Sequence, residues 1–498
     1  MKAWIGAASI LALVVGAACT TGSSAAQKQT SPTPPQSMTA REKAEGAKAH
    51  PQLLAEFGGL YEGPQAAYVT RIGRVIAAQS GLANQPSEFT VSLLNSPVNN
   101  AFAIPGGYVY VTRQLMALMN NEAELASVLG HEVGHVAAQH GQKRNKRASR
   151  AGLGAVLATV LGGVLLGNDG ARLGQQLGGA LAQQYVLSYS RAQEYEADDL
   201  GIVYITKAGY EPTAAAGMLS SLAAQTALDV RASGKNEKPL PEWASTHPDP
   251  GSRVVRAQQR AASVRASGGQ NQARFVNRDS FLAMLDGMIY DDDPKQGIVD
   301  GSRFRHPELR LSFDAPPGYV ISNGSDAVSI RGTGGQAQFT GAAYQGDLDA
   351  YIAAAFRAVA GNQSQINATP VRRTEINGLP AAYSMARATT SSGAVDVTIF
   401  AYEFAKDRAY HIVAITPQGT NGFMGLFQSV RRISPAEADG IRPRRVSIVT
   451  VRQGDSVASL AERMAYPDYR QERFRVLNGL GKNDLLTPGQ KIKIIVKG

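Results

Sequence analysis

The apolar positions change rhythm along the chain. From about Arg41 to Ser267 they follow helical patterns, whereas from roughly Arg303 to Ser434 they alternate. In "ELRLSF" Leu309, Leu311 and Phe313 share one face, as do Val395, Val397 and Ile399 in "VDVTIF", and both segments predict strands. Two helical stretches, "DLDAYIAAAFRAVA" and "NGFMGLFQSVRRI", interleave with these strands, so residues 275–440 read as a small α+β domain. "SGGQNQA" is the linker before it, and the basic hinge "IRPRRV" leads to a compact unit over 446–496. No repeat of solenoid period is visible.

The N-terminus has another texture. Lys2 precedes an apolar run from Ala3 to Ala18, then a zone of small residues, which is the pattern of an export signal over residues 1–26. "VVGAAC" resembles a bacterial lipobox despite Gly16 standing where Leu is usual. This favours cleavage before Cys19 and lipidation of that residue; ordinary cleavage near Ala26 is the alternative. Residues 27–40 are rich in Ser, Thr, Pro and Gln and form a tether. The stretch "RAGLGAVLATVLGGVLLGNDG" is apolar but interrupted by glycines, and its unbroken run is shorter than the roughly 20 residues a bilayer requires. It reads as a buried or membrane-skimming hairpin beside the active site.

Composition narrows the classes. At 498 residues the chain accommodates several cores, and 44% hydrophobic with 18% charged residues is globular. The net charge of +10 is spread out, and no nucleic-acid fold signature accompanies it, which argues against nucleic acid as a partner. The single cysteine is Cys19, so the exported protein carries no internal disulfide.

Candidate chemistry lies in "NNEAELASVLGHEVGHVAAQHG". Asn121 is positioned to cap a helix, with Glu124 completing a capping box. On that helix His131 and His135 project from one face and can share an ion, while Glu132 can reach a water on it. The apolar residues Val128, Leu129, Val133 and Val136 around them indicate a buried face. Ala138 and Gly141 stand where a metzincin has Gly and its third His, and His140 is off register by one, so it reads as a packed or capping histidine. Downstream, "SYSRAQEYEADDLG" offers Glu194 to close a two-His, one-Glu zinc site with its fourth position open. Asp198, one turn on, can fix a ligand imidazole through a hydrogen bond.

Together "HEVGHVAAQHG", "SRAQEYEAD" and "STHPDPGSR" resemble the CAAX-prenyl-protease-type (HtpX/BepA-like) zinc metallopeptidases of the gluzincin class, in their periplasmic branch. The resemblance covers about residues 40–265. It implies a mainly α peptidase domain over 41–267, one Zn2+ on His131, His135 and Glu194, Glu132 as catalytic base and Asp198 behind a ligand. It also places His247 near the metal, as a catalytic group or as a latch on its open position, and Arg253 as the anchor of that loop. "NNAFAIPGGYVYVTR" resembles the family's substrate-edge hairpin, which makes Asn100, Ala101, Phe102 and Ala103 an exposed strand that pairs with extended peptide; an ordinary hairpin turning at Gly106-Gly107 is the alternative. The family's C-terminal helical repeats are absent.

The last unit resembles a LysM module. "VRQGDSVASLAERM", "VLNGL" and "LLTPGQKIKI" match its βααβ framework at Gly454, Asp455, Asn478, Pro488 and Gly489. The resemblance implies binding of N-acetylglucosamine-containing glycan, with this unit holding the peptidase at the wall apart from cleavage. The expectation is a zinc endopeptidase of a Gram-negative envelope, acting on misfolded or unassembled envelope proteins. It would be an outer-membrane lipoprotein or else soluble in the periplasm. A catalytically quiet scaffold and a cell-wall amidase or glycosidase are the alternatives.

Overall fold

The computed structural model describes residues 37–83, 85–143, 189–232, 247, 249–267, 274–325, 327–360, 367–390 and 393–498. The leader, Cys19, most of the tether and the apolar stretch beginning at Arg150 lie outside the described residues.

Helix α1 (Ala40–Glu56) opens with a reciprocal cap in which the Thr39 hydroxyl accepts from the Glu42 N–H and the Glu42 carboxylate accepts from the Thr39 N–H. Helix α2 (Pro64–Ala77) is next, with proline at its first position, where no N–H is needed. Three strands come after it: β1 (Thr90–Leu94), β2 (Ala101–Ile104) and β3 (Tyr108–Thr112), in spatial order β1-β3-β2. β1 and β3 are parallel, and β2 is antiparallel to β3 at the sheet's edge. Gly106 and Gly107 turn the hairpin with φ of 89° and 84°, and a Cβ at Gly106 would meet the Glu42 carbonyl oxygen at 2.5 Å. Glycine is required there both for backbone angle and for the close approach of α1.

Helices α3 (Arg113–Leu118), α4 (Glu122–Ala137), α5 (Arg191–Lys207), α6 (Ala214–Ala232) and α7 (Pro250–Ser267) complete this region. No helix among the described residues is long and apolar enough to cross a membrane.

The middle region is α+β, as its alternation predicts. A seven-stranded antiparallel sheet runs in the order 372–376, 379–390, 393–405, 408–417, 335–343, 328–332, 320–323. Val395, Val397 and Ile399 pack beneath the helix 348–360, while Phe400, Tyr402 and Phe404 fill the other face against Phe304, Phe313 and Phe427. Both faces of that strand are buried, and the alternation in the sequence marks only one of them.

Two boundaries differ from expectation. Residues 274–290 are continuous with the α4 core and not with the strands after them. Phe281, Leu282 and Leu285 join the same apolar cluster as Leu115, Leu129 and Ile205. The C-terminal unit has the expected βααβ order, with antiparallel strands 444–450 and 491–497 around helices 457–461 and 470–477. It does not hang from a hinge, however. Val446, Phe474 and Ile494 belong to that same cluster, and strand 289–290 pairs with residues 444–445. Arg444 of the basic hinge donates to Asp291 Oδ2 at 3.1 Å and lies over the Tyr466 ring. Lys493 is 0% exposed, and its Nζ donates to the carbonyls of Ala117, Leu118 and Met119 at 2.8, 3.1 and 2.6 Å. The unit expected to stand apart from the peptidase is therefore packed against the turn that feeds α4. A strand that buries apolar residues on one face and a lysine on the other needs neighbours on both sides, and α3 supplies the second.

Candidate metal centre

Helix α4 places its two histidines by simple periodicity. Asn121 caps it, its side chain accepting from the Glu124 N–H at 2.9 Å. Glu124 reaches back one residue beyond a standard capping box, accepting from the Asn120 N–H at 2.8 Å. His131 and His135 then lie one turn apart, with ring centroids 4.6 Å from each other and Nε2 atoms 3.0 Å apart.

Helix α5 brings the third donor because it crosses α4 on small residues. A Cβ at Gly134 would meet the Ala197 carbonyl oxygen at 2.9 Å, and one at Gly201 would meet the His131 nitrogen at 2.8 Å. With the backbones that close, Glu194 Oε2 sits 3.5 Å from His131 Nε2 and Oε1 sits 3.4 Å from His135 Nε2. His247 joins them. One donor atom from each of His131, His135, Glu194 and His247 lies within 4.8 Å of the others, and all four residues are buried.

A second layer holds the donors. His131 Nδ1 is 2.9 Å from Asp198 Oδ1, and Asp198 receives both Arg253 Nε at 2.8 Å and Nη2 at 2.6 Å. Arg253 Nη1 also donates to Glu194 Oε2 at 2.5 Å, so one guanidinium ties α7 to two acids of α5. Glu132 is fully buried, with Oε1 3.4 Å from His247 Nε2. Burial opposes its ionisation, but the neighbouring His247 and the charges of the three histidines outweigh burial and keep its carboxyl below the ordinary value. Burial likewise opposes ionisation of Glu194, yet His247, His131 and His135 hold it well below the ordinary value.

The donor set fits a cation. Among the described residues, Glu194 Oε1 has no hydrogen-bond donor, and neither has either oxygen of Glu132. With Nδ1–H of His131 directed at Asp198, a neutral His131 turns its Nε2 lone pair toward that of His135 at 3.0 Å. Two facing lone pairs beside a carboxylate are repulsive unless a positive charge lies between them. Burial lowers His131, but hydrogen bonds to Asp198 and Glu194 prevail and raise it to about 9, while burial and then the charge on His131 push His135 down to about 3. Two imidazoles, a carboxylate and a further histidine are the donor types zinc takes in a tetrahedral site.

Comparison with known proteins points the same way. Residues 64–261 match peptidase family M48, and residues 449–494 match the LysM domain. Residues 64–261 are therefore similar to M48 peptidases. The chain is 33% identical over 217 residues to the beta-barrel assembly-enhancing protease of Yersinia pestis, covering 43% of this chain and 42% of that one. The Escherichia coli (strain K12) protein of the same name is 32% identical over 213 residues, 42% and 41% of the two chains. The mitochondrial metalloendopeptidase OMA1 of Schizosaccharomyces pombe is 30% identical over 218 residues, 43% and 59%. The chain thus spans less than two thirds of each of these relatives.

Within that matched region, His131, Glu132, His135, Glu194, Asp198, His247 and Arg253 converge on one buried cluster. The substrate strand departs from its expected form. Asn100, Ala101, Phe102 and Ala103 are 0, 0, 3 and 7% exposed, so the strand is not the open edge expected. Phe102 packs with Phe57 and Tyr110, because α1 folds over that end of the sheet. Only its far end approaches the chemistry. Ala103, Ile104 and Pro105 line a small, half-open cleft together with Glu42, His135 and Tyr189.

Of two neighbours of the candidate ligands, Tyr189 was not anticipated from the sequence and His140 reads there as a packed or capping histidine; the structure buries His140 fully. Tyr189 stacks on His135, with centroids 3.9 Å apart and planes at 17°. His140 does not cap α4 but bonds to His135. A histidine five places beyond a ligand, just past the helix end, was the available signal.

Proposed function

We propose that this protein is a zinc-dependent endopeptidase of the bacterial envelope. The observation carrying this reading is the buried quartet His131, His135, Glu194 and His247 with the ionised Glu132 beside it. A zinc ion on His131, His135 and Glu194 would acidify water and polarise a carbonyl. Glu132 accepts the proton of the attacking water at its carboxylate and returns it to the leaving amine. Arg253 and Asp198 keep His131 and Glu194 aligned while charge develops. His247, 3.4 Å from Glu132, sits where it either stabilises the developing oxyanion or occupies the fourth donor position of a resting enzyme. The quartet geometry favours the resting latch for this closed form.

The names of the relatives support misfolded or unassembled envelope proteins as substrates. The LysM match supports peptidoglycan glycan as a partner of residues 446–496, and the sequence around Cys19 supports a lipid anchor in the outer membrane. The decisive experiment compares casein hydrolysis by the zinc-loaded wild type and Glu132→Gln. Loss of the base should lower the rate by about 10²- to 10⁴-fold with zinc content unchanged. Equal rates would leave a scaffold as the better reading, and release of peptidoglycan fragments would favour a wall hydrolase.

A further inference from the structure

Helix α4 ends at Ala137, and the chain turns back on itself there instead of running on. Ala138 keeps right-handed angles, but Gln139 takes a left-handed conformation with φ of 55°. A residue with a Cβ reaches that region only at some cost, commonly at a helix C-terminus, where it reverses the chain. The reversal lays His140 back over His135, with ring centroids 5.0 Å apart and Nδ1 to Nδ1 at 2.8 Å. His140 is 0% exposed. Its Nε2 lies 3.0 Å from Glu196 Oε2 on α5, whose side chain is 46% exposed.

The hydrogens can be placed from these contacts alone. His135 turns Nε2 toward Glu194 and His131, so as a neutral metal ligand it carries its hydrogen on Nδ1. His140 Nδ1 must then accept that hydrogen. Its own proton is consequently on Nε2, directed at the Glu196 carboxylate. Each of the three groups has one arrangement only, and each fixes the next.

We propose that His140 is a positioning residue for the metal ligand His135 and that Glu196 sets the tautomer in which it acts. The site then holds its two histidine ligands unequally. His131 is oriented in one step by Asp198, itself clamped by Arg253, whereas His135 is oriented in two steps by a relay ending at the surface. The inference rests on the metallopeptidase reading of His135. It assigns Glu196 a task quite different from that of its helix neighbours Glu194 and Asp198: its carboxylate acts on the metal only through two imidazole rings.

The test uses the full chain and reads metal binding directly. Zinc dissociation constants from chelator competition, and the visible absorption of the Co2+-loaded protein, are compared for wild type, His140→Phe, Glu196→Ala and Glu196→Gln. Phenylalanine fills the same space but cannot accept from His135 Nδ1. It should weaken zinc about 10- to 100-fold and change the cobalt spectrum. Glu196→Ala should weaken zinc less, and Glu196→Gln, which keeps an acceptor oxygen, should restore it. Tight zinc and an unchanged cobalt spectrum in His140→Phe would overturn the relay alone. If His140→Phe does not fold, equal zinc affinity in wild type and Glu196→Ala overturns it. A wild-type chain that takes up no zinc overturns the metal reading and the relay together.

Discussion

Two buried polar clusters lie at opposite ends of α4, and they manage positive charge in opposite ways. At the start of the helix Lys493 brings its own ammonium, whose three N–H groups meet three carbonyls at the end of α3; burial lowers this amine to about 7, against the pull of the nearby Glu124 carboxyl. At its other end His131, His135, Glu194 and His247 converge donor atoms with no lysine or arginine side chain among the four. The first cluster is closed: every hydrogen has an acceptor and the cation is covalently part of strand 491–497. The second would be completed by an exchangeable ion, on the zinc reading proposed above. A cation that the fold supplies stabilises the fold. A cation the fold must recruit would leave ligand positions available for chemistry, which is why the proposed reaction is placed at that end of α4.

The sharpest break in this comparison removes a donor from the second cluster. Glu194→Ala should lose stoichiometric zinc and lower casein hydrolysis by about a thousandfold or more, since the metal contributes several kcal/mol of transition-state stabilisation. Full zinc content in that variant, by metal analysis, would place the third ligand elsewhere.

Removing the ammonium from the first cluster should instead cost stability. Lys493→Met takes the ammonium donor from the carbonyls of Ala117 and Met119, while Leu118 keeps the Asn120 amide as a donor, and breaking a buried charged interaction costs about 3–5 kcal/mol. Denaturant unfolding should show that loss with zinc binding per folded molecule unchanged. A loss under about 1 kcal/mol, the level of a surface pair, would mean that the LysM unit merely rests against α3. Ending the chain at Pro443 is a coarser form of the same test. It uncovers Leu115, Phe281 and Leu285, and the remainder should aggregate instead of behaving as a free peptidase.

The smallest effect concerns acid. Burial favours protonation of Asp198, but Arg253 and His131 prevail and hold it at about 2, below its ordinary 3.8. A depressed carboxyl contributes stability that is present above the unfolded value and lost as pH falls through the folded one. The window is therefore about pH 4 down to 2, and the contribution is about 2 kcal/mol. Unfolding of the zinc-free chain across that range should lose this increment in wild type and not in Asp198→Asn. Parallel pH profiles would show that Asp198 is not the group clamped by Arg253.

Much of the centre was legible in one dimension because helical periodicity is short-range. His131 and His135 share a face wherever the helix lies, and Glu194 with Asp198 repeats that spacing on α5. The family-like motifs supplied the pairing of those two helices; the glycines at their crossing, Gly134 and Gly201, are its physical cause. The βααβ order of the last unit and the α+β character of the middle region also came from local pattern.

What remained hidden depends on which surfaces meet. In "KIKIIVKG" the alternation identifies two faces of a strand but cannot say that both are covered, so nothing local marks Lys493 as buried, and the LysM-like unit reads as a tether apart from cleavage. The Asn100–Ala103 strand looked open for the complementary reason, because nothing local announces that α1 folds across it. His140 is five residues from His135, a spacing that no straight helix brings together, and only the left-handed turn at Gln139 does so. Side-chain spacing within an element is set by backbone geometry and can be read from the chain. Burial and hydrogen-bond partners across elements are set by packing, and these came only with the folded structure.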